Sequence, residues 1–156
     1  MGSVSAGLSP VALTIPRHIG RALGVAIVLL AAAAYLRDPP WLLSMTSGMR
    51  AWQTDSTGAR FRWMGGHASF FVPADAQSIE IPVRTTFDRP GDWPITASMT
   101  IDDRAANRVV LSDAEWHRVV LTMPPRGSRN VRRIDVRMDH TRDDNRAAAI
   151  GEVVTR

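Results

Sequence analysis

The chain has 156 residues, 19 basic and 15 acidic side chains, a formal charge of +4 and no cysteine. The last point excludes a disulfide framework and a thiolate metal site. With the first forty or so residues set aside, about 110 remain, a normal size for one β-sandwich domain. Every basic residue is Arg, none is Lys, and Ala, Gly and Pro are frequent. The charge therefore reads as a solvated, composition-driven surface, and no nucleic acid is expected as partner.

Residues 1–18 carry Gly2, Ser3, Gly7, Ser9, Pro10 and Pro16 and few large apolar groups. They cannot bury enough surface to offset their ordering entropy, so a disordered cytoplasmic tail is expected.

Ala22 to Leu36, ALGVAIVLLAAAAYL, is the one long uncharged apolar run. As a helix it covers only about 22 Å, short of the roughly 30 Å of bilayer hydrocarbon. The flanks make up the difference: Ile19 and Gly20 extend the run, Arg21 can snorkel, and Tyr35 and Trp41 stand where an interfacial aromatic belt would be. Asp38-Pro39-Pro40 ends the helix, because Pro lacks an amide donor and disfavours helix before it. A single-pass transmembrane helix over residues 19–37, in contact with the lipid bilayer, is the leading expectation.

Two other readings stay open. A cleaved signal peptide would use Arg17 and Arg21 as its basic region and Ala31 to Ala34 as its cleavage site. A buried core helix is the other, although an all-round apolar surface counts against it. Arg17, His18 and Arg21 precede the run, whereas Arg37 is offset by Asp38. The basic excess thus places the N-terminus in the cytoplasm and the C-terminal domain in the periplasm or outside the cell, on an inner-membrane protein.

Residues 38–57 read as a connector and residues 58–156 as the extracytoplasmic domain. Phe61 and Trp63, then Ser69 to Val72, flank Gly65-Gly66 like a first hairpin. Ile79, Ile81 and Val83 alternate with Glu80, Pro82 and Arg84, and Pro82 points to a sheet edge or bulge. Ile95, Ala97, Met99 and Ile101 repeat the pattern, and Asp102-Asp103-Arg104 turns into Arg108 to Leu111. Trp116 to Met123 and Val131 to Met138 follow, the latter with Ile134, Val136 and Met138 on one face and Arg133, Asp135 and Arg137 on the other. Ala148 to Val154 closes the chain. Seven or eight short strands predict an all-β fold, an antiparallel, jelly-roll-like β-sandwich behind one N-terminal helix.

Asp38-Pro39-Pro40-Trp41, SGMRAW, GARFRWMGGHASFFVPADA, LSDAEWHRVVLTMP, RRIDVRM and DNRAAAIGEV together resemble a group of uncharacterised bacterial envelope domains. In that group a jelly-roll-like β-sandwich follows a transmembrane segment. The resemblance covers roughly Asp38 to the C-terminus and implies architecture and location; it brings no catalytic residues with it.

No chemistry-bearing motif stands out. Asp139, His140, Asp143 and Asp144 have oxygen ligands at loop spacing, but they lack the repeat and turn glycine of a calcium loop. They read as a turn paired with Arg142 and Arg146. Asp102 and Asp103 are adjacent at a turn rather than facing each other across a bond. His67, His117 and His140 are scattered, with no recognisable Ser-His-Asp set. Hence no catalytic residue, metal site or cofactor is assigned, and an enzyme is not expected.

The aromatics carry more. Trp52, Trp63, Phe70, Phe71, Trp93 and Trp116 are many large rings for a small domain. Most belong in the core, yet a sandwich that binds sugar presents flat rings beside polar groups. Trp93, between Asp92 and Pro94, is the chosen exposed ring, with Phe71 a second. Arg60, Arg62 and Arg84 are expected to line a polar face beside them. The function expected is a membrane-anchored binding or accessory module of the envelope, engaging glycan or a partner membrane protein through one sandwich face. The alternative is a structural subunit packing on a membrane protein partner with no small ligand.

Overall fold

The computed structural model describes residues 17–156, so the expected disordered tail lies outside the described residues up to position 16. The chain divides into two compact units, one ending at Arg37 and the other running from Asp38 to Arg156.

In the first unit, helix α1 (Arg17–Arg37) has 21 residues, so at 1.5 Å each it is about 31 Å long. The apolar run alone was short because the helix starts five residues ahead of it. Ile19–Ser44 is long and apolar enough to cross a membrane, and none of its most apolar stretch is buried. An exposed Leu, Ile and Val surface all round a helix is stable only where something other than water covers it.

The second unit opens with a 3-10 turn (Pro40–Ser44) and contains nine strands, with a second 3-10 turn (Pro90–Asp92) between the third and fourth. They are β1 (Thr46–Thr54), β2 (Arg60–Pro73), β3 (Ser78–Thr85), β4 (Ile95–Ile101), β5 (Arg104–Leu111), β6 (His117–Thr122), β7 (Val131–Met138), β8 (Ala148–Gly151) and β9 (Val154–Thr155). β1 runs along one side of β2. On the other side the sheet divides: Phe61 to Met64 pair with β8, and His67 to Pro73 pair with β7. One arm continues β7-β4-β5 and the other β8-β3-β6, all antiparallel. The arms close on one apolar core, which makes the unit a β-sandwich.

Period-two alternation builds that core. Ile79, Ile81 and Val83 of β3, Ile95, Ala97 and Met99 of β4, Leu121 of β6, and Ile134 and Val136 of β7 have almost no exposed surface and belong to one cluster. Each buried aliphatic side chain is worth about 1.5–3 kcal/mol of transfer free energy. The strands of both arms contribute one face apiece, as the sequence alternation predicts.

Three local readings change. Residues 38–57, taken for a connector, contain β1, an almost wholly exposed strand in which polar and apolar residues do not alternate. Edge exposure, not absence of pairing, removed the signal. Gly65-Gly66 make no hairpin; β2 passes straight through them at the place where the sheet divides, and the loop between β7 and β8 lies over them through Thr141 and Asn145. The closing strand is two short ones, β8 and β9. Pro82 sits opposite that break: β3 pairs with β9 through Ile79 and Glu80 and with β8 from Val83 onward, so its missing amide costs no ladder bond there.

The turn from β4 to β5 is a two-residue hairpin loop, with Ile101 paired to Arg104 and φ of 49° at Asp102 and 66° at Asp103. Both values lie in the left-handed region that such turns require, and Asp tolerates it better than most residues. Gly48 marks a bulge in β1. Its φ is +70°, and a Cβ there would stand 2.0 Å from the His67 carbonyl oxygen, so only glycine lets β1 follow β2 at this point.

Candidate functional site

Directly paired residues on neighbouring strands project to the same side, so the pairings sort the aromatic and basic side chains by face. Trp52 pairs with Arg62, and Arg62 with Ile150. These lie on the core side, at the end of the sandwich where β1 and β2 extend past it. Trp52 keeps 43% of its surface exposed. The Arg60 guanidinium carbon lies 4.8 Å from its ring centroid and that of Arg62 5.5 Å. Arg62 is fixed in turn, its Nε donating to the Arg50 carbonyl at 2.6 Å and its Nη1 to Thr46 Oγ1 at 2.9 Å. Below the ring is a mainly apolar groove of about 290 Å³, lined by Leu43, Met49, Phe70, Phe71, Ile150 and Val153 among others.

On the opposite face, Trp63 pairs with Ala149 and Ala149 with Arg84. Here the rings pack on one another. Phe61 meets Trp63 at 5.1 Å between centroids and Trp116 at 6.3 Å, both edge-on. Arg84 lies 4.8 Å from the Trp116 centroid, and Arg146 lies 5.3 Å from that of Trp63. Trp63 Nε1 donates to Gln53 Oε1 at 3.0 Å. Phe61 is buried, whereas Trp63 and Trp116 are half-buried.

A second groove, about 610 Å³, runs beside Trp116 and Pro82 and is edged by Arg60, Arg118 and Arg156. Glu80 is held between Arg118 at 3.5 Å and Arg156 at 3.2 Å, and Glu152 faces Arg60 at 3.8 Å. Gly151 and Glu152 line both grooves, which open on opposite faces of the sheet and meet at this short segment.

A third cleft of about 450 Å³ lies between the β4–β5 turn and the segment joining β6 to β7, with Phe71 in its wall. Its carboxylates are occupied. Asp102 accepts from Arg132 at 2.7 Å and from the Arg133 amide at 3.0 Å, while Asp103 pairs with Arg133. Arg132 also donates to the carbonyls of Pro124 and Pro125, tying the loop down. These two aspartates serve the turn, as their spacing predicts.

Asp135 is the buried acid of the domain, on the side of β7 away from the core. Its carboxylate contacts His67 Nε2 at 3.0 Å and accepts from Arg133 Nε at 2.9 Å. Burial pushes the carboxyl up, but hydrogen bonds from His67, Ser69 and Arg133, together with the Arg133 charge, bring it below its ordinary value. Ser69 and His67 both turn to the aspartate, so the three do not form the relay of a hydrolase triad.

The loop from Asp139 to Arg146 is a structural turn. Asp139 accepts the Thr96 amide at 2.8 Å, Asp144 accepts the Arg146 amide at 3.1 Å and its Nε at 2.6 Å, and Asn145 takes φ of 59°.

The five side chains chosen from sequence do not converge. Phe71 stands in the walls of the apolar groove and of the third cleft. Arg60 and Arg62 come together, but on Trp52, and Arg84 lies on the other face with Trp116. Trp93 is not an exposed ring: it is half-buried and packed on the core, with Nε1 buried and unpartnered. A loop-like neighbourhood in sequence, Asp92 and Pro94, did not reveal that its ring turns inward. Trp52, counted among the large rings but not chosen as the exposed one, lies in the supposed connector.

No family model and no curated protein matches the chain. Among solved structures it is similar to the C-terminal domain of EclA, a sugar-binding protein, with 12% identity over 67% of this chain and 89% of that one and a TM-score of 0.45. It is also similar to the carbohydrate-binding module CBM36 in complex with calcium and xylotriose, at 8% identity over 72% of this chain and 92% of that one, TM-score 0.43. A family two carbohydrate esterase from Clostridium thermocellum is a third, at 5% identity over 72% of this chain and TM-score 0.48. The chain spans only 31% of that esterase. No family match supports the envelope group that the sequence resembles; a β-sandwich and one apolar N-terminal helix are what stand.

Proposed function

We propose that this chain is a membrane-tethered β-sandwich that binds glycan, with the Trp52 groove as the binding site. The observation that carries the proposal is the Trp52 ring, 43% exposed and held by Arg60 and Arg62 at the lip of an apolar groove. An indole face matches the apolar C–H face of a pyranose, and guanidinium groups donate to hydroxyls around it. Rings fixed in place beforehand bind at lower entropic cost than mobile ones. In this reading α1 is the tether, which its length and uncovered apolar surface support; its N-terminus lies in the cytoplasm and the sandwich on the far side of the inner membrane, a placement that rests on the basic residues Arg17, His18 and Arg21 ahead of the apolar run. The module acts by recognition and carries out no bond-breaking step.

The test is retention of the full chain, in detergent, on immobilised envelope polysaccharides. Retention that Trp52→Ala abolishes is expected; equal retention of both proteins would refute the site. A second reading, an assembly subunit on a membrane protein, draws on the edge position of β1, which pairs with β2 alone among the described strands. Co-purification of one membrane protein, together with no retention on glycan, would favour it.

A further inference from the structure

We infer that the glycan is a polyanionic one, bearing carboxylate, sulfate or phosphate groups, and that it runs from the Trp52 groove across Glu152 to the groove beside Trp116. The inference rests on the glycan-binding reading above and names the class of ligand. Its first ground is charge. Arg60, Arg62, Arg84, Arg118 and Arg156 stand along this path against Glu80 and Glu152. Both glutamates are already engaged, Glu80 by two arginines at once. Arg62 hydrogen-bonds only neutral oxygens and has no ion pair among the described residues, while Arg84 meets the charge of Asp55 without a close ion pair.

The second ground is exposure. The Arg60–Glu152 pair is open to water on both sides, 53% and 67% exposed, so it is weak and gives way to a better anion at little cost. Glu80 is only 15% exposed, but Arg118 and Arg156, 78% and 72% exposed, share its single charge, which leaves positive charge over at the surface. The third ground is continuity: the grooves open on opposite faces of the sheet, but Arg60 lies over Trp52 and edges the second groove while Gly151 and Glu152 border both, so a chain that touches Trp52 and Trp116 turns round the sheet at Arg60 and Glu152. A neutral glycan would leave the arginine excess unanswered; an acidic one meets it with charge-assisted hydrogen bonds, and guanidinium matches planar carboxylate in two-point fashion.

Affinity electrophoresis of the full chain in detergent separates the possibilities, in gels cast with pectate, alginate or heparin, with neutral dextran or mannan, or with single-stranded DNA. Retardation by the acidic polysaccharides at least tenfold stronger than by the neutral ones is expected. Trp52→Ala should lose it, and Arg118→Gln with Arg156→Gln should weaken it several-fold. Equal retardation by neutral polymers would overturn the anionic class and leave glycan binding standing, whereas retardation by neither set would overturn both. Equal retardation by DNA, or full retention of Trp52→Ala, would show charge attraction alone and also overturn the inference.

Discussion

Trp52 and Arg62 face each other across the β1–β2 pair, and the guanidinium of Arg62 lies over the indole while its Nε is hydrogen-bonded back to Arg50. The arginine therefore does two jobs at once, orienting an exposed ring and presenting charge beside it. Trp52→Ala should remove binding at the groove, a loss of tenfold or more. Because 43% of the residue is exposed and it lies on an edge strand outside the buried core, it should cost about 1–2 kcal/mol of unfolding free energy, below the range for a core ring. Parallel binding and denaturation curves check both; a large stability loss would instead make Trp52 a structural residue.

Gly48 gives a prediction about backbone. Its φ of +70° and the 2.0 Å approach of a new Cβ to the His67 carbonyl leave no room for a side chain. Gly48→Ala should cost about 2 kcal/mol or more, through left-handed strain and displacement of β1. Since β1 carries Trp52, glycan retention should fall in the same variant. Urea denaturation with unchanged midpoint would contradict the bulge.

Asp135 links stability to pH. Burial raises its carboxyl, but the bonds from His67, Ser69 and Arg133 prevail and hold it below its ordinary 3.8. A folded value below the unfolded one stabilises the fold in full above about pH 4, and that contribution is lost as pH falls through the folded value. Asp135→Asn should flatten this acid limb and cost about 1–3 kcal/mol at neutral pH, the range for a disrupted charged hydrogen-bond set. Denaturation midpoints between pH 2 and pH 7 read both effects.

Trp93 serves as a control ring. Packed on the core, Trp93→Ala should destabilise by about 2–3 kcal/mol, a little under the cost of a fully buried ring. Below its melting temperature the variant should still bind glycan as the parent does. Selective loss of binding with stability intact would move the site to Trp93.

What could be read from sequence follows from what period-two patterning encodes. Ile79, Ile81 and Val83, or Ile134, Val136 and Met138, alternate because one face is buried, and the strands appear where they were expected. β1 escaped because an exposed strand has no buried face to imprint a pattern, and Trp52, though named among the rings, was left without a strand to place it. Gly65-Gly66 looked like a turn because sequence gives the flexibility of a site but not whether the chain reverses there. Arg60, Arg62 and Arg84 were expected to line one face, yet a shared face is set by strand pairing: Arg62 is matched to Ile150 while Arg84 is matched to Ala149. Trp93 shows the converse, a ring beside polar and turn residues that packs inward.

A glycan in the Trp52 groove should shield the strands that line it, and hydrogen–deuterium exchange of the full chain in detergent, with and without a saturating mixture of uronate oligosaccharides, reads that protection. Slowed exchange in residues 46–54 and 148–155, with residues 95–111 unchanged, is the predicted result. Binding accompanied by protection only at residues 95–111, or the same 46–54 protection in Trp52→Ala, would contradict it.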